Sequence, residues 1–161
     1  MFCLHALDVS FGCFPLLNSE IVEYSSIGVA GVVACKRNSA QLTPSVSKVS
    51  AGSMEAMEVH ACTSMPRFLT SCGENGWNII GADNTSGAVD LVSVSPLKGP
   101  TILVLGSEGY GLRTLVKNQC SSFVKIASEC EGGEADVDSL NVGVCAGIML
   151  HNMMLKSYTS S

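Results

Sequence analysis

The sequence predicts an α/β fold in which a parallel sheet carries helices on both faces. From Gly28 onward, short apolar and β-branched segments alternate with helix-forming segments, an alternation typical of parallel sheets. The segment Thr101–Leu105 (TILVL) is β-branched or apolar at each position, as expected of a strand buried on both faces. The 161 residues suffice for one domain, which we place at residues 28–161.

Residues 1–27 show no clean period, and we interpret them as a degenerate or altered N-terminal segment. Five elements are predicted between residues 28 and 81, namely strands at 28–36, 59–63 and 77–81 and helices at 43–57 and 66–72. Thr43 begins the first helix as an N-cap, because Pro44 then fits the first turn. The turn at Gly73–Gly76 ends the second helix.

The second half of the chain is predicted to alternate in the same way. Its elements are a surface loop over 83–99 with a short strand at 89–94, strands at 101–105 and 123–126, and helices at 111–118 and 139–156. Asp138 or Ser139 caps the last helix. Its apolar residues form two i, i+4 rows, which are Leu140, Val144 and Ile148, and Cys145, Met149 and Met153. We therefore expect this helix to pack against the sheet or against a second copy of the chain.

The composition excludes several classes of protein. Apolar residues make up 47% and charged residues 14%, against roughly 25% charged in typical domains, which excludes intrinsic disorder. No apolar stretch reaches the ~18 residues of a membrane span. The net charge of −5 argues against a protein that coats nucleic-acid phosphates non-specifically, although a local basic face remains open.

The eight cysteines predict neither a disulfide framework nor a metal site. No C-x-x-C pair occurs, and the N-terminus lacks the basic region of a signal peptide and carries Asp8. The histidines, His5, His60 and His151, stand apart rather than at the spacing of zinc ligands. We expect a soluble intracellular protein with reduced, mostly buried thiols and no metal.

Two segments carry chemistry, and each has two interpretations from its residues alone. Glycines at 106, 109 and 111 follow a strand, which favours either a ligand-binding loop or a tight structural turn. Their spacing is neither a dinucleotide fingerprint nor a P-loop. Ser139 and Asn141 either cap a helix or face a ligand. Asp83, directly after a strand, is either a site residue or the start of a loop.

Together these segments resemble the SpoU/TrmH family of RNA 2′-O-methyltransferases, of the SPOUT class, and in particular its organellar ribosomal-RNA branch. Residues Gly106–Arg113 (GSEGYGLR) match the fixed positions of the family's second motif, G-x-E-G-x-G-[LM]-R. Residues Asp138–Cys145 (DSLNVGVC) keep the S-L-N-V of the third motif. Ile126 falls where the family has a strand ending in I-P, with Ala127 replacing the proline. The resemblance covers about residues 28–155.

The resemblance implies a parallel sheet with a C-terminal trefoil knot, S-adenosylmethionine as the cofactor, RNA, chiefly ribosomal RNA, as the substrate, and a homodimer. It implies cofactor contacts at Leu105, Gly106, Gly111, Ile126 and Leu140, catalytic polar groups at Glu108, Ser139 and Asn141, and RNA contacts at Arg113 and Lys117. No metal is implied, because the sulfonium is already an activated leaving group. The branch that the chain resembles is mitochondrial or plastid, so we expect one of these compartments.

One motif of the family departs from its pattern here. The first motif, N-x-G-x-x-x-R-[ST]-A, supplies an arginine implied to activate the ribose hydroxyl, and Val22 occupies that position. Leu16 occupies the position of the asparagine. Three functions therefore stay open: an RNA 2′-O-methyltransferase, a non-catalytic isoform or fragment that binds S-adenosylmethionine, RNA or a partner subunit, and an unrelated small-molecule binder or hydrolase.

Overall fold

The computed structural model describes residues 4–7, 29–35, 58–106, 111–127 and 142–158. The described strands are β1 (Leu4–Leu7), β2 (Gly31–Cys35), β3 (Glu58–Cys62), β4 (Asn78–Ala82), β5 (Val89–Asp90), β6 (Thr101–Leu105) and β7 (Ser122–Lys125). The described helices are α1 (Met65–Glu74), α2 (Thr114–Lys117) and α3 (Val142–Tyr158), with a 3-10 turn at Leu91–Ser93.

The seven described strands form one sheet in the order β3-β2-β1-β6-β4-β7-β5. Every neighbouring pair among them is parallel. Because parallel strands need crossover connections, the helices fall on the two faces of the sheet. The predicted α/β class with a parallel sheet is thereby confirmed.

Strand β6 separates two hydrophobic cores, because its side chains alternate between the faces. Ile102 and Val104 pack on the face that α1 and α2 cover. Leu103 and Leu105 pack on the opposite face, together with the buried side of α3. Full burial on both faces explains why this strand is apolar at every position after its first.

Helix α3 buries one side and exposes the other. Met149 and Met153, from one of the two predicted apolar rows, lie in the core beside β6. Val144 and Ile148, from the other row, are 51% and 43% exposed. Burial against the sheet is confirmed for Met149 and Met153, while Val144 and Ile148 form an apolar surface on the single chain.

The C-terminal end of α3 is tied to the 3-10 turn before β6 by one lysine. The Lys156 ammonium donates hydrogen bonds to the backbone carbonyls of Leu91 (3.1 Å), Val92 (2.6 Å) and Val94 (2.8 Å). These carbonyls end a short helical turn, where a cation is favourable. A single side chain therefore satisfies three acceptors that lie far from it in sequence.

Replacing Lys156 with methionine is expected to lower the free energy of unfolding by about 2 kcal/mol, because charge-assisted hydrogen bonds to three carbonyls are lost. Urea denaturation measures this change. Lys98→Met is the matched control, since Lys98 is exposed. Equal stability of the two variants would contradict a role of Lys156 in holding α3.

Three sequence predictions differ from the structure or fall outside it. Strand β1 lies in the segment where no element was predicted, and it pairs with both β2 and β6. Helix α2 begins at Thr114 rather than Gly111, because Gly111 has a φ of +63° and Arg113 is extended. The predicted helix over 43–57 lies outside the described residues. The domain boundary at residue 28 stays a prediction.

Candidate functional site

The carboxyl ends of three adjacent strands bring together residues that are distant in sequence. Strand β4 lies between β6 and β7, and all three run parallel. The residues that follow them, Asp83, Gly106 and Ile126, therefore lie at one edge of the sheet. This carboxyl edge is where open α/β sheets bind their ligands.

The two ends of the glycine segment, residues 106–111, lie close together. A Cβ atom built on Gly106 would lie 2.1 Å from the carbonyl carbon of Gly111 and 2.5 Å from the Leu112 nitrogen. Gly111 itself has a φ of +63°, a conformation that favours glycine. Gly106, where the segment begins, and Gly111, its exit, are therefore in backbone contact.

The exit of the glycine segment is anchored in the core through Leu112. This side chain is buried beside Ile79 and Val116. A Cβ atom on Gly81, in β4, would lie 2.9 Å from Leu112 Cδ1 and 2.9 Å from the Phe123 ring. The missing side chain at Gly81 thus leaves the space in which Leu112 packs.

An ion pair joins the end of β4 to α2. Lys117 Nζ lies 2.7 Å from Asp83 Oδ2, and the two side chains are 35% and 11% exposed. The Asp83 amide donates a hydrogen bond to the Val124 carbonyl (3.1 Å), which fixes its backbone to β7. Asp83 is thus a residue of the site edge rather than only the start of a loop.

A surface cavity of about 380 Å³ adjoins the end of β7. Its lining comprises Asn84, Asp90, Lys125, Ile126 and Ala127. This volume falls within the range of small-molecule sites. Asp90 and Lys125 form a looser ion pair there, with Oδ1 and Nζ 3.8 Å apart. Ile126 is half-buried, and it lines this cavity together with mostly polar residues.

The described cysteines are thiols rather than disulfides. Burial raises the pKa of the Cys62 thiol to about 11, and the neighbouring Cys35 thiol adds to the rise. Burial also raises the pKa of Cys120 to about 11, with a further rise from the Asp83 carboxylate and an offset from Lys117. These groups are neutral near pH 7, so none of them resembles an activated nucleophile.

Cys120 in the folded chain is expected to react slowly with iodoacetamide at about pH 8. A pKa of about 11 instead of 9.0 lowers the thiolate fraction about 100-fold, and the rate should rise as the pH approaches 11. Peptide mapping after timed alkylation measures this rate, with the urea-unfolded chain as the control. Equal labelling of Cys120 in the folded and unfolded chain would contradict the shift.

The structure places six of the ten predicted site residues. Leu105 is buried at the end of β6, Gly106 and Gly111 close the glycine segment, and Ile126 lines the cavity. Arg113 is exposed before α2, and Lys117 is the last residue of α2. The remaining members of the predicted set lie outside the described residues, and they are Glu108, Ser139, Leu140 and Asn141.

The sequence did not predict the surroundings of Lys117 and Asp83. Lys117 was predicted to contact RNA, and its ammonium instead pairs with the Asp83 carboxylate. An RNA contact by Lys117 stays a prediction, and the ion pair with Asp83 would compete with such a contact. The position of Asp83 directly after a strand indicated that it could lie at the site edge. Only the fold shows that Lys117 is its partner.

The part of the chain that the structure describes contains neither a candidate metal site nor a helix that could span a membrane. There, no group of three or more His, Cys, Asp or Glu side chains could hold a metal ion. Within the same ranges, no helix combines the length and hydropathy needed to cross a bilayer.

A family model described as the SpoU rRNA Methylase family matches residues 24–151. The chain belongs to this SpoU family. Its curated relatives include a mitochondrial rRNA methyltransferase 1 of Dictyostelium discoideum, which is 37% identical over 134 residues (81% of this chain and 24% of the relative). A 23S rRNA (guanosine-2′-O-)-methyltransferase RlmB of Pseudomonas syringae is 34% identical over 124 residues (76% of this chain and 46% of the relative).

Solved structures of SpoU proteins share the fold of the chain. The SpoU methyltransferase AviRb from Streptomyces viridochromogenes, in complex with AdoMet, has a TM-score of 0.78 and 18% identity. The match covers 99% of this chain and 61% of AviRb. At this identity the likeness establishes the fold. The SpoU chain also spans less than half the length of the two curated relatives.

Proposed function

We propose that this SpoU chain is an RNA methyltransferase that moves a methyl group from S-adenosylmethionine to a ribose 2′-hydroxyl, with ribosomal RNA as the substrate. One observation carries the proposal: Gly106, Gly111 and Ile126 lie along the same carboxyl edge, which β6, β4 and β7 form. These are positions where the family resemblance implies cofactor contacts. The names of the curated relatives support the rRNA substrate and the 2′-O position.

The described residues fit S-adenosylmethionine at this edge. Gly111 is exposed and has no side chain, so a ligand can approach its main chain closely, while Gly106 packs against the Gly111 backbone. Ile126 supplies apolar surface to a cavity whose volume is in the range of small-molecule sites, while Leu105 lies buried in the core. Support for this cofactor also comes from AviRb, a family member of the same fold in complex with AdoMet.

Methyl transfer requires the chain to position the methyl group and the ribose hydroxyl and to accept one proton. S-adenosylmethionine, when bound, supplies a methyl group on a positively charged sulfur, which leaves as a neutral thioether. The chain must hold the ribose hydroxyl in line with that methyl group and take up the hydroxyl proton. We assign the polar contacts of this step to Glu108, Ser139 and Asn141, and contact with RNA phosphate to Arg113, which is exposed.

We further propose a C-terminal trefoil knot and a homodimer. Helix α3 packs on the sheet face below β6 and leaves Val144, Ile148 and Leu155 exposed along one side. An apolar row of this kind on a single chain favours a protein partner. A second copy of the chain is the partner we propose, and light scattering tests it. A monomeric mass at micromolar concentration would contradict the dimer.

A second candidate function is supported by Val22, which occupies the position of the first-motif arginine. A chain without that arginine could bind S-adenosylmethionine and RNA without transferring the methyl group. The mitochondrial relative supports the mitochondrion, rather than the plastid, as the compartment of either form.

Two measurements test these functions. Calorimetric titration with S-adenosylmethionine is expected to show saturable 1:1 binding. Absence of binding by the folded chain would contradict the enzyme and leave the non-catalytic form that binds RNA or a partner subunit. Transfer of tritiated methyl groups to ribosomal RNA then separates them. Transfer by the unchanged chain supports the enzyme. Transfer only after Val22→Arg, within a restored first motif, supports the non-catalytic form.

A further inference from the structure

The ion pair between Asp83 and Lys117 lies where the glycine segment leaves the carboxyl edge. Asp83 directly follows β4, and Lys117 is the last residue of α2. A Cβ atom on Gly111 would lie 3.7 Å from Asp83 Oδ2, the same oxygen that contacts Lys117 Nζ at 2.7 Å. One carboxylate oxygen therefore faces both the exit of the glycine segment and the helix that follows it.

Both members of the pair are attached to fixed backbone. The Asp83 amide donates to the Val124 carbonyl, which holds the residue against β7. The Lys117 amide donates to the Arg113 carbonyl at 2.9 Å, which connects the lysine to the residue before α2. The ion pair thus links the sheet to the turn formed by residues 113–117, through side chains rather than through the strand ladder.

The pair is also better buried than the other described ion pair at this edge. The Asp83 side chain is 11% exposed, whereas the Asp90 side chain, which faces Lys125 at 3.8 Å, is 44% exposed. Exposed ion pairs contribute little, but a carboxylate withdrawn from water is costly when its partner is removed. Removal of Lys117 is therefore expected to displace Asp83 and the adjacent exit of the glycine segment.

We propose that Asp83 and Lys117 are positioning residues whose ion pair holds the exit of the glycine segment in the conformation that binds S-adenosylmethionine. This inference rests on the proposed function. Neither side chain needs to touch the cofactor, because the pair acts through Gly111 and the turn before α2. The pair sets cofactor affinity by holding the binding conformation in advance of the ligand.

Calorimetric titration with S-adenosylmethionine, in the absence of RNA, tests the pair in four variants. Lys117→Met is expected to weaken binding about tenfold or more, because it leaves the Asp83 carboxylate unpaired. Lys117→Arg keeps the charge and should bind within about twofold of the unchanged chain. Asp83→Asn should weaken binding less than Lys117→Met, because Lys117 can turn toward solvent.

The double variant Asp83→Asn/Lys117→Met decides the coupling. Because it removes both charges, it should bind more tightly than Lys117→Met alone. Lys98→Met is the matched control for loss of a lysine at the opposite edge of the sheet, where the Lys98 carbonyl accepts from Asn78. Its affinity should be unchanged. Omitting RNA ensures that a lost phosphate contact cannot mimic the result.

Three outcomes would overturn the inference. In the first, Lys117→Met lowers the melting temperature but leaves cofactor affinity unchanged, which would give the pair a structural role only. In the second, the effects of the two substitutions add, so that the double variant binds more weakly than either single variant. In the third, the folded, unchanged chain does not bind S-adenosylmethionine, which would reject the proposed function together with the inference.

Discussion

Gly106→Ala is expected to abolish measurable binding of S-adenosylmethionine while the sheet stays folded. The added methyl group would lie 2.1 Å from the Gly111 carbonyl carbon and 2.4 Å from its oxygen. These are backbone atoms, so no side-chain rotation relieves the contact, and the glycine segment must open. Because the backbone of the proposed cofactor site must move, the conformation that binds the cofactor is lost. Calorimetry measures the loss, and circular dichroism confirms the fold.

Gly87→Ala is the matched control for the substitution of Gly106. A Cβ atom at Gly87 would meet no atom within 4 Å, and its φ lies outside the left-handed region. Its cofactor affinity should equal that of the unchanged chain. Tight binding by Gly106→Ala would show that the contact between Gly106 and Gly111 is not part of the cofactor site.

Leu150→Ala is expected to lower the free energy of unfolding by about 3 kcal/mol. Leu150 is fully buried on α3 and packs in the core that contains Leu103 and Met153. Truncation removes apolar burial and leaves a cavity between the helix and the sheet. Urea denaturation at constant protein concentration measures the change.

Leu155→Ala provides the comparison on the same helix. Leu155 is 50% exposed, so its truncation should cost less than about 1 kcal/mol in the monomer. If the exposed row of α3 forms a dimer interface, Leu155→Ala should also raise the concentration at which the dimer dissociates. Equal loss of stability in Leu150→Ala and Leu155→Ala would contradict the burial of one face of α3.

Where one physical cause dominated, the sequence predicted the structure closely. Residues 101–105 were predicted as a strand with the bounds that β6 has, because a run of β-branched and apolar residues lies between Pro100 and Gly106. The glycines after β6 indicated an unusual backbone, either a ligand-binding loop or a tight structural turn, but the contact between Gly106 and Gly111 is known only from the fold. Helix α1 extends beyond its predicted range of 66–72, since helix ends fray and their bounds shift by a residue or two.

Other features depended on tertiary contacts that no local pattern contains. Strand β1 has four residues and includes His5, so neither length nor period indicated it, and its two neighbours in the sheet define it. The ion pair of Asp83 joins positions that are distant in sequence, so only the strand order could bring Lys117 to it. The roles of Glu108, Ser139 and Asn141 stay predictions.

The place of β1 in the sheet has a consequence for how the chain reaches its native state. Among the described strands, β1 alone connects β3 and β2 on one side with β6, β4, β7 and β5 on the other. Until Leu4–Leu7 inserts, β2 and β6 each present an unpaired edge, and such edges promote aggregation. Strand β1 must therefore wait for β6, which follows it in the chain by almost a hundred residues. Folding of the sheet is thus governed by a late insertion at its centre, and substitutions in β1 should reduce soluble yield more than its four residues suggest.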